Sequence, residues 1–407
     1  MTKPTPDQLR ANLDEAADNK GLPAAPTRGR RKHPEGWEPG VVWNGTEGNL
    51  TVRTTTRDPQ WDDLLNEWGF PADKFEVIEP VQFRTWDMNM GEAGVERAVY
   101  YKAVIRSRAD SRQDLEVLIN DIKRYKKLKK EPLAGDASLI ATWADWQMGA
   151  DDYGGPEATK TRFLDSIGKV QDRYRDLRKS GVPLGQLIVP SLGDLGEGCA
   201  GFYPQQTYRV TLNNREQRRL VRSMALTALR EWSNLAPRII VPVVGGNHGE
   251  ERNETNNSFT DFSDNKDVAM IEDAALVLAE NPDRFGHISF ILPNHELEVT
   301  IDAHGQILGF VHGHQIQKAT GASVHMKAEN WWKDQMKARR PIGEADILFG
   351  GHFHQFFMRS VGPRTYVGSP ALHGGSQWWE SVKGGGDAPG QLTLVVDSEG
   401  WSNLTVL

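Results

Sequence analysis

The stretch "RIIVPVVGGNHGE" (residues 238–250) passes from a run of apolar residues to two glycines, an asparagine and a histidine. The apolar run predicts a buried strand, and the glycines allow the chain to turn sharply and to approach another group closely. The strand therefore delivers Asn247 and His248 at its carboxyl end. Two interpretations follow: a turn with incidental polar residues, or the deliberate placement of two ligands.

Two earlier stretches repeat this pattern. "SLIATWAD" (138–145) and "LGQLIVPSLGD" (184–194) are short apolar runs that end in Asp145 and Asp194. Helical stretches lie between the runs, and this alternation predicts a parallel sheet covered by helices. The residues that follow read mostly as strands and hairpins. The predicted fold class is therefore α/β, with two sheets packed as a sandwich and helices on the outside.

The first third of the chain has a different character. Residues 1–40 are rich in proline, glycine and charge, which predicts a disordered tail. Residues 41–132 contain a short amphipathic helix, two strand-like runs and a helix with a lysine-rich end, which together predict a small α/β accessory module of unknown role. Residues 133–407 then form the domain that carries the strand-end motifs.

The composition of the chain excludes several classes of protein. The formal net charge of −7 is not that of a general nucleic-acid-coating protein, and no apolar run reaches membrane-spanning length. A single cysteine, Cys199, excludes an internal disulfide and is typical of a reducing cytoplasm. A metal site would therefore have to use histidine, carboxylate or amide ligands. The oligomeric state is not indicated.

Metal-capable residues end five of the predicted strands. Besides those named above, "FVHGH" brings His312, and "LFGGHFH" brings His352 and His354. In α/β sheets ligands bind at the carboxyl ends of strands, and this mixture of ligands suits manganese, iron or zinc. Two ions about 3.5–4 Å apart can clamp a phosphoryl group. Each motif alone could be a turn or a packed hairpin, but their order and shared position favour a site for two metal ions.

The order of these motifs resembles the calcineurin-like metallophosphoesterase superfamily, whose pattern is Asp-x-His, Gly-Asp, Gly-Asn-His-Asp/Glu, His and Gly-His-x-His. The resemblance covers about residues 138–398. The matching stretches are "DWQMG" (145–149), "GD" (193–194), "GNHGE" (246–250), "HG" (312–313) and "GHFH" (351–354).

The resemblance implies a role for each matched residue. The ligands of the first metal would be Asp145, Gln147, Asp194 and His354. Asp194 would bridge to a second metal, whose other ligands would be Asn247, His312 and His352. His248, acting with Asp194, would stabilise the phosphate and protonate the leaving oxygen. The cofactors would be two divalent ions, with Mn²⁺ expected and Mg²⁺, Fe²⁺ or Zn²⁺ as alternatives.

This sequence departs from the family pattern at two positions. Gln147 stands where the family usually has histidine, and an amide oxygen is a harder, weaker ligand than imidazole. Gly249 follows His248 where the family has an acidic residue. The group that orients His248 is therefore not identified by the sequence, and drift towards a non-catalytic relative is an alternative interpretation.

The substrate is indicated less directly. "DWQMG" resembles the corresponding stretch of the DNA-repair exonuclease branch, and similar chains are encoded by viruses of actinobacteria. We therefore expect a phage-encoded, DNA-processing nuclease in the host cytoplasm. Pairs of tryptophans flank "GHFH" and could stack on bases, although packing is an equally open role for them: Trp331, Trp332, Trp378 and Trp379.

Two other functions stay open at this point. The first is a phosphatase or cyclic-nucleotide phosphodiesterase acting on a small substrate. The second, from a different class, is a binding module that retains the fold without the chemistry.

Overall fold

The computed structural model divides the chain into two compact units, Met1–Asp114 and Leu115–Leu407. The residues that it describes are 33–43, 47–54, 59–72, 75–89, 95–107, 111–128, 134–152, 154–199, 206–253, 257–258, 260–318, 324–375 and 388–407. Most of the predicted disordered tail, residues 1–32, lies outside this description.

The first unit is built on one antiparallel sheet with the strand order β1-β2-β4-β3. Its elements are β1 (Gly40–Trp43), β2 (Glu47–Thr54), α1 (Trp61–Glu67), β3 (Phe75–Asn89) and β4 (Val95–Ser107). One face of α1 packs on the sheet, because Leu65 is buried and the Trp61 ring meets Tyr101 edge-on at 5.6 Å. The small α/β module predicted from the sequence is therefore present.

The boundary between the units falls earlier than the sequence-based one at residue 132. The next helix, α2 (Ser111–Lys123), spans the division. Its apolar residues Leu115, Leu118 and Ile122 pack with the apolar cluster of the second unit. The amphipathic pattern placed Leu115, Leu118 and Ile122 on the inner face correctly, but it does not specify which core that face joins. The predicted lysine-rich helix end is wrong, because the helix stops at Lys123 and Tyr125, which was predicted to face inward, lies beyond it and is exposed.

The second unit contains a six-stranded sheet with the order β15-β14-β5-β6-β7-β8. Its first four strands in the chain, β5 to β8, run parallel, and the pair β14 and β15 adds an antiparallel edge. These elements, with the helices between them, are β5 (Ala137–Ala141), α3 (Gly155–Lys179), β6 (Leu184–Ile188), α4 (Asn214–Trp232), β7 (Arg238–Pro242), α5 (Lys266–Ala279), α6 (Pro282–Phe285), β8 (Ile288–Ile291), β14 (Leu392–Asp397) and β15 (Gly400–Val406).

A five-stranded sheet with the order β12-β13-β11-β10-β9 completes the second unit. Its central strands β10, β11 and β13 are parallel, and β9 and β12 are antiparallel edges. The elements are β9 (Glu298–Ala303), β10 (Gln306–Val311), α7 (Val324–Lys337), β11 (Ile347–Gly350), β12 (Phe357–Val361) and β13 (Arg364–Gly368).

Alternate residues of the buried strands supply different apolar layers. Ile140, Ile188 and Ile240 face the second sheet and meet Phe310 and Phe349 between the two sheets. Their neighbours Leu139, Leu187 and Ile239 face the helices α3, α4 and α5. A third cluster lies under α7 on the outer face of the five-stranded sheet. The predicted two-sheet sandwich with helices outside is confirmed.

Within the described part of the chain, no helix is both long enough and apolar enough to cross a bilayer.

Candidate metal centre

Five of the predicted metal ligands have a backbone conformation that non-glycine residues rarely adopt. Their φ angles are positive, in a region that costs an L-residue energy. The residues and angles are Asp145 (49°), Gln147 (41°), Asp194 (50°), His352 (68°) and His354 (54°). Only nine non-glycine residues in the described ranges have positive φ. Backbone strain is therefore concentrated in the loops after β5, β6 and β11, as is typical of functional sites.

The imidazole of His312, at the end of β10, is completely buried, and three oxygens lie around its two nitrogens. Its Nδ1 lies 2.7 Å from the carbonyl oxygen of Leu192 and must donate to it, since a carbonyl only accepts. The opposite nitrogen, Nε2, lies 3.1 Å from Oδ2 of Asp194 and 3.0 Å from Oδ1 of Asn247. In the neutral tautomer with the proton on Nδ1, lone pairs of Nε2, Asp194 Oδ2 and Asn247 Oδ1 point towards one another. A cation between these three atoms would relieve the repulsion.

The amide of Asn247 supports this interpretation. Its oxygen points to Nε2 of His312, whereas its nitrogen Nδ2 is buried without a hydrogen-bond partner. An unpaired buried N–H costs about 1–3 kcal/mol, so the orientation is explained if the oxygen is reserved for a ligand role. Ligand atoms of Asp194, His312 and His352 all lie within 4.8 Å of one another. The chemistry of these four residues suits the second metal site that the family resemblance implies, and their assignment as ligands stays a prediction.

Asp145 and His354, two of the ligands expected for the first metal, lie next to each other. Asp145 is fully buried and has Oδ1 at 3.2 Å from Nε2 of His354. The backbone N–H of His352 donates to both carboxylate oxygens of Asp145, at 3.0 and 3.1 Å. Gln147 lies on the same loop and donates its backbone N–H to Asp194 O, but its side-chain amide has no hydrogen bond to another described residue. The assignment of Gln147 as a ligand stays a prediction.

His248 lies beside this centre with one ring nitrogen anchored. Its Nδ1 is 2.9 Å from the carbonyl oxygen of Glu197, so Nδ1 donates, and the Glu197 carboxylate follows at 3.4 Å. Its Nε2 lies 3.9 Å from Oδ2 of Asp194. Glu197 thus occupies the orienting role that Gly249 cannot fill. The sequence did not identify Glu197, because its contact with His248 joins residues that are 51 positions apart in the chain.

The charges of the centre are strongly coupled. Burial alone would lower the pKa of His312, but the Asp194 carboxylate reverses this effect and raises the pKa to about 9. Burial likewise opposes the charged form of Asp194, yet His312 and His248 hold its pKa well below the usual range. Burial and the neighbouring His312 keep the pKa of His352 well below 6.5, so its lone pair is available to a metal.

Further residues, which the sequence analysis did not identify, form hydrogen bonds to the predicted ligands or to the loops that carry them. His373 has Nε2 at 3.1 Å from Nδ1 of His354 and accepts from Gly375 N–H at its own Nδ1. His373 therefore donates from Nε2 to Nδ1 of His354, which fixes the orientation of that ring. A neutral His354 then carries its proton on Nε2, towards Asp145, and this proton must leave before Nε2 can bind a metal. On the opposite side, Asn265 and Asp267 bond the loops that carry Asp194 and Asn247. No motif marks these residues, and only the fold brings them to the site.

The predicted base-stacking tryptophans divide into two groups. Trp332, a residue of α7, is completely buried and donates its indole N–H to the carbonyl oxygen of Ile342 at 3.0 Å. Trp331 packs against the same apolar cluster. A buried ring offers no face to a base, so the structure gives Trp332 a core-packing role in place of the stacking role. Trp378 and Trp379 lie outside the described residues.

No protein-family model matches the chain, and no curated protein matches it either. Among solved structures, an archaeal phosphodiesterase is 12% identical with a TM-score of 0.29, covering 66% of this chain and 99% of its own. Zinc-bound Vps29 from Entamoeba histolytica is 16% identical with a TM-score of 0.29, covering 66% and 89%. A predicted phosphoesterase from Streptococcus pneumoniae is 12% identical with a TM-score of 0.27, covering 65% and 86%. At such identities and TM-scores these structures do not assign a function to the chain.

Proposed function

We propose that this chain is a metal-dependent phosphoesterase that hydrolyses phosphodiester bonds, and that its natural substrate is DNA. The observation that carries the proposal is the close approach of three residues. Oδ2 of Asp194 and Oδ1 of Asn247 lie 3.1 and 3.0 Å from Nε2 of His312. Such a set of oxygen and imidazole donors suits a divalent transition metal.

Two metal ions would be held by residues from both sheets. The first would use Asp145, Gln147, Asp194 and His354, and the second Asp194, Asn247, His312 and His352. When bound, the ions would supply the Lewis acidity and the positive charge that phosphoester hydrolysis requires. Mn²⁺ is the ion we propose, because carboxylate and amide oxygens outnumber imidazoles at the first site.

The protein's own acid would be His248. Burial would lower the pKa of His248, but the Asp194 and Glu197 carboxylates raise it, which favours the imidazolium form. Since Nδ1 donates to the carbonyl oxygen of Glu197, Nε2 is the nitrogen that would donate a proton to a leaving oxygen. Proton transfer from a positioned histidine contributes about 10²–10⁴-fold to such reactions.

DNA is proposed as the substrate on narrower grounds. The support is the resemblance of "DWQMG" (145–149) to the DNA-repair exonuclease branch, and the similarity to chains encoded by viruses of actinobacteria supports a phage origin. The geometry of the metal centre is equally compatible with a small phosphodiester, so the substrate has to be decided by turnover.

The test is hydrolysis of bis-p-nitrophenyl phosphate with manganese by the wild type and by Asp194→Asn. Losing a supporting partner alone costs about 10–100-fold in metal affinity or activity, so losing the bridging carboxylate should cost more than this in turnover and should also lower the manganese content. Asp172→Asn is the matched control, since this carboxylate is exposed on α3 and pairs with Arg175 of the same helix. Near-normal turnover by Asp194→Asn would contradict the proposal.

The same assay distinguishes the alternatives. Cleavage of single- or double-stranded DNA alongside the small ester supports the nuclease. Cleavage of bis-p-nitrophenyl phosphate or cyclic nucleotides without DNA would replace it by a small-substrate phosphodiesterase. Absence of both turnover and bound metal would leave a binding module.

A further inference from the structure

The carboxylate of Asp267, in the first turn of α5, is completely buried and accepts four backbone hydrogen bonds. Its Oδ2 accepts from the N–H of Asp194 at 2.8 Å and of Gly246 at 3.1 Å. Its Oδ1 accepts from the N–H of Leu195 at 3.0 Å and of Gly196 at 3.2 Å. One side chain therefore ties the loop after β6 to the loop after β7.

Asn265, the residue that caps α5, reinforces the connection. Its Oδ1 accepts from Asp267 N–H at 2.9 Å, and its Nδ2 donates to the carbonyl oxygen of Gly246 at 2.8 Å. The start of α5 therefore holds both the N–H and the carbonyl oxygen of Gly246, the residue that immediately precedes Asn247. The proposed bridging ligand and the proposed amide ligand are thus positioned by the same helix terminus.

Asn265 and Asp267 leave no room for a side chain at position 249. A Cβ at residue 249 would collide with Oδ1 of Asn265 and would lie 2.9 Å from Oδ2 of Asp267. The space that a side chain following His248 would enter is therefore already filled. An acidic residue at 249 and the present Asn265–Asp267 pair exclude one another.

We propose that Asp267 is the positioning residue of the metal centre, and that it acts on the backbone of the two ligand loops, whereas Glu197 orients His248. Its four charge-assisted hydrogen bonds hold the positive-φ backbone of Asp194 and the turn before Asn247 in the ligand-binding conformation. The metal ions would then bind loops that are already in place. Their affinity would be higher, because little free energy would be needed to order the loops on binding.

A purely structural role makes a different prediction. If Asp267 served only to dock α5 on the sheet, its loss would lower stability without a selective effect on the metal. Asp273 provides the comparison, because it lies on the same helix and pairs with Arg218 at 2.7 and 2.8 Å. Loss of either carboxylate weakens the attachment of α5, but only Asp267 bonds the two strand-end loops.

The experiment is a manganese titration of full-length Asp267→Asn, Asp273→Asn and wild type. In Asp267→Asn the new NH₂ group faces backbone N–H donors, so we expect manganese binding to weaken by about 10–100-fold, the usual effect of losing an outer-shell partner. Asp273→Asn should bind manganese as the wild type does, even where its melting temperature falls equally. Wild-type affinity in Asp267→Asn, or an equal loss in Asp273→Asn, would overturn the proposal.

A second measurement on the unmodified protein applies if Asp267→Asn does not fold. Hydrogen exchange of the metal-free protein should show residues 194–196 and 246 as protected as β6 and β7, because Asp267 bonds them before any metal binds. Rapid exchange at these amides would overturn the proposal. The inference rests on the proposed function, but the failures differ: a wild type that binds no manganese refutes the metal centre, whereas exposed amides refute the role of Asp267.

Discussion

Gly246 decides how close β7 can come to the neighbouring strand end. A Cβ at this position would collide with the carboxylate and the backbone nitrogen of Asp194. Only glycine therefore lets Asn247 reach Nε2 of His312 while His248 N–H donates to Asp194 Oδ1 at 2.9 Å. The glycine pair in "VVGGNH" is explained by close approach rather than by a loose hinge.

Replacing Gly246 by alanine should therefore remove the metal centre. We expect Gly246→Ala to lose high-affinity manganese binding, because either Asp194 or the turn must move aside. The control is Gly168→Ala on the exposed face of α3, where an added Cβ meets nothing within 4 Å and a helical Gly-to-Ala change gains about 0.5–1 kcal/mol. Manganese titration and thermal unfolding check both variants. Unchanged manganese affinity in Gly246→Ala would contradict this account of the turn.

The pKa of about 9 for His312 predicts how metal binding depends on pH. Below that value the metal-free imidazole carries a proton on Nε2, and a metal must displace it. The apparent manganese affinity should therefore rise by about tenfold per pH unit as the pH increases towards 9. Titrations at about pH 6.5, 7.5 and 8.5 measure this slope. An affinity that is flat over this range would show that His312 is not a ligand that loses a proton.

The ligands could be predicted from the sequence, whereas their supports could not. Asp145, Asp194 and Asn247 follow apolar runs directly, so the strand-end rule finds them without a structure. Glu197, Asp267 and His373 act through partners that are distant in the chain or on their own loop, and no spacing rule marks such contacts. Asp267 lies at the end of a polar stretch, residues 251–267, that contains no motif.

At the scale of elements, helix caps have two different functions in this fold. Asn213 caps α4 in a capping box with Glu216 and is exposed to solvent. Asn265 caps α5 but also holds the carbonyl of Gly246. The first cap stabilises a helix, and the second joins a helix to the proposed metal centre.

Alanine at the two caps should separate these functions. Loss of an N-cap costs about 1 kcal/mol, so both Asn213→Ala and Asn265→Ala should unfold at lower denaturant concentration than the wild type. Only Asn265→Ala should also weaken manganese binding. Denaturant unfolding of the metal-free proteins and manganese titration give the two readouts. Equal manganese affinities in both variants would mean that the Gly246 contact is unimportant for the site.

The elements that the sequence predicted best are the central strands. β5, β6 and β7 are covered on both faces, so they appear as mainly apolar runs with few polar residues. α2 shows the limit of the same reasoning. Its apolar face was evident, but periodicity carries no information about the partner, and Leu115 and Ile122 join the core of the second unit.

At the scale of the whole molecule, the proposed metal centre belongs to one unit. Every predicted ligand, and every supporting residue from Glu197 to His373, lies within Leu115–Leu407. The three large apolar clusters are also formed entirely from residues of that unit. The first unit has its own apolar cluster around Leu50 and Ile105.

A fragment of residues 115–407 should therefore fold and bind manganese with the affinity of the full chain. Its turnover of bis-p-nitrophenyl phosphate should also equal that of the full chain, because a small ester needs only the metal centre and His248. Circular dichroism, manganese titration and the ester assay check these outcomes. Loss of metal binding in a folded fragment would show that residues before 115 are needed to form the centre. If the fragment cleaves the ester but has lost activity on DNA, the first unit contributes to binding the polymer.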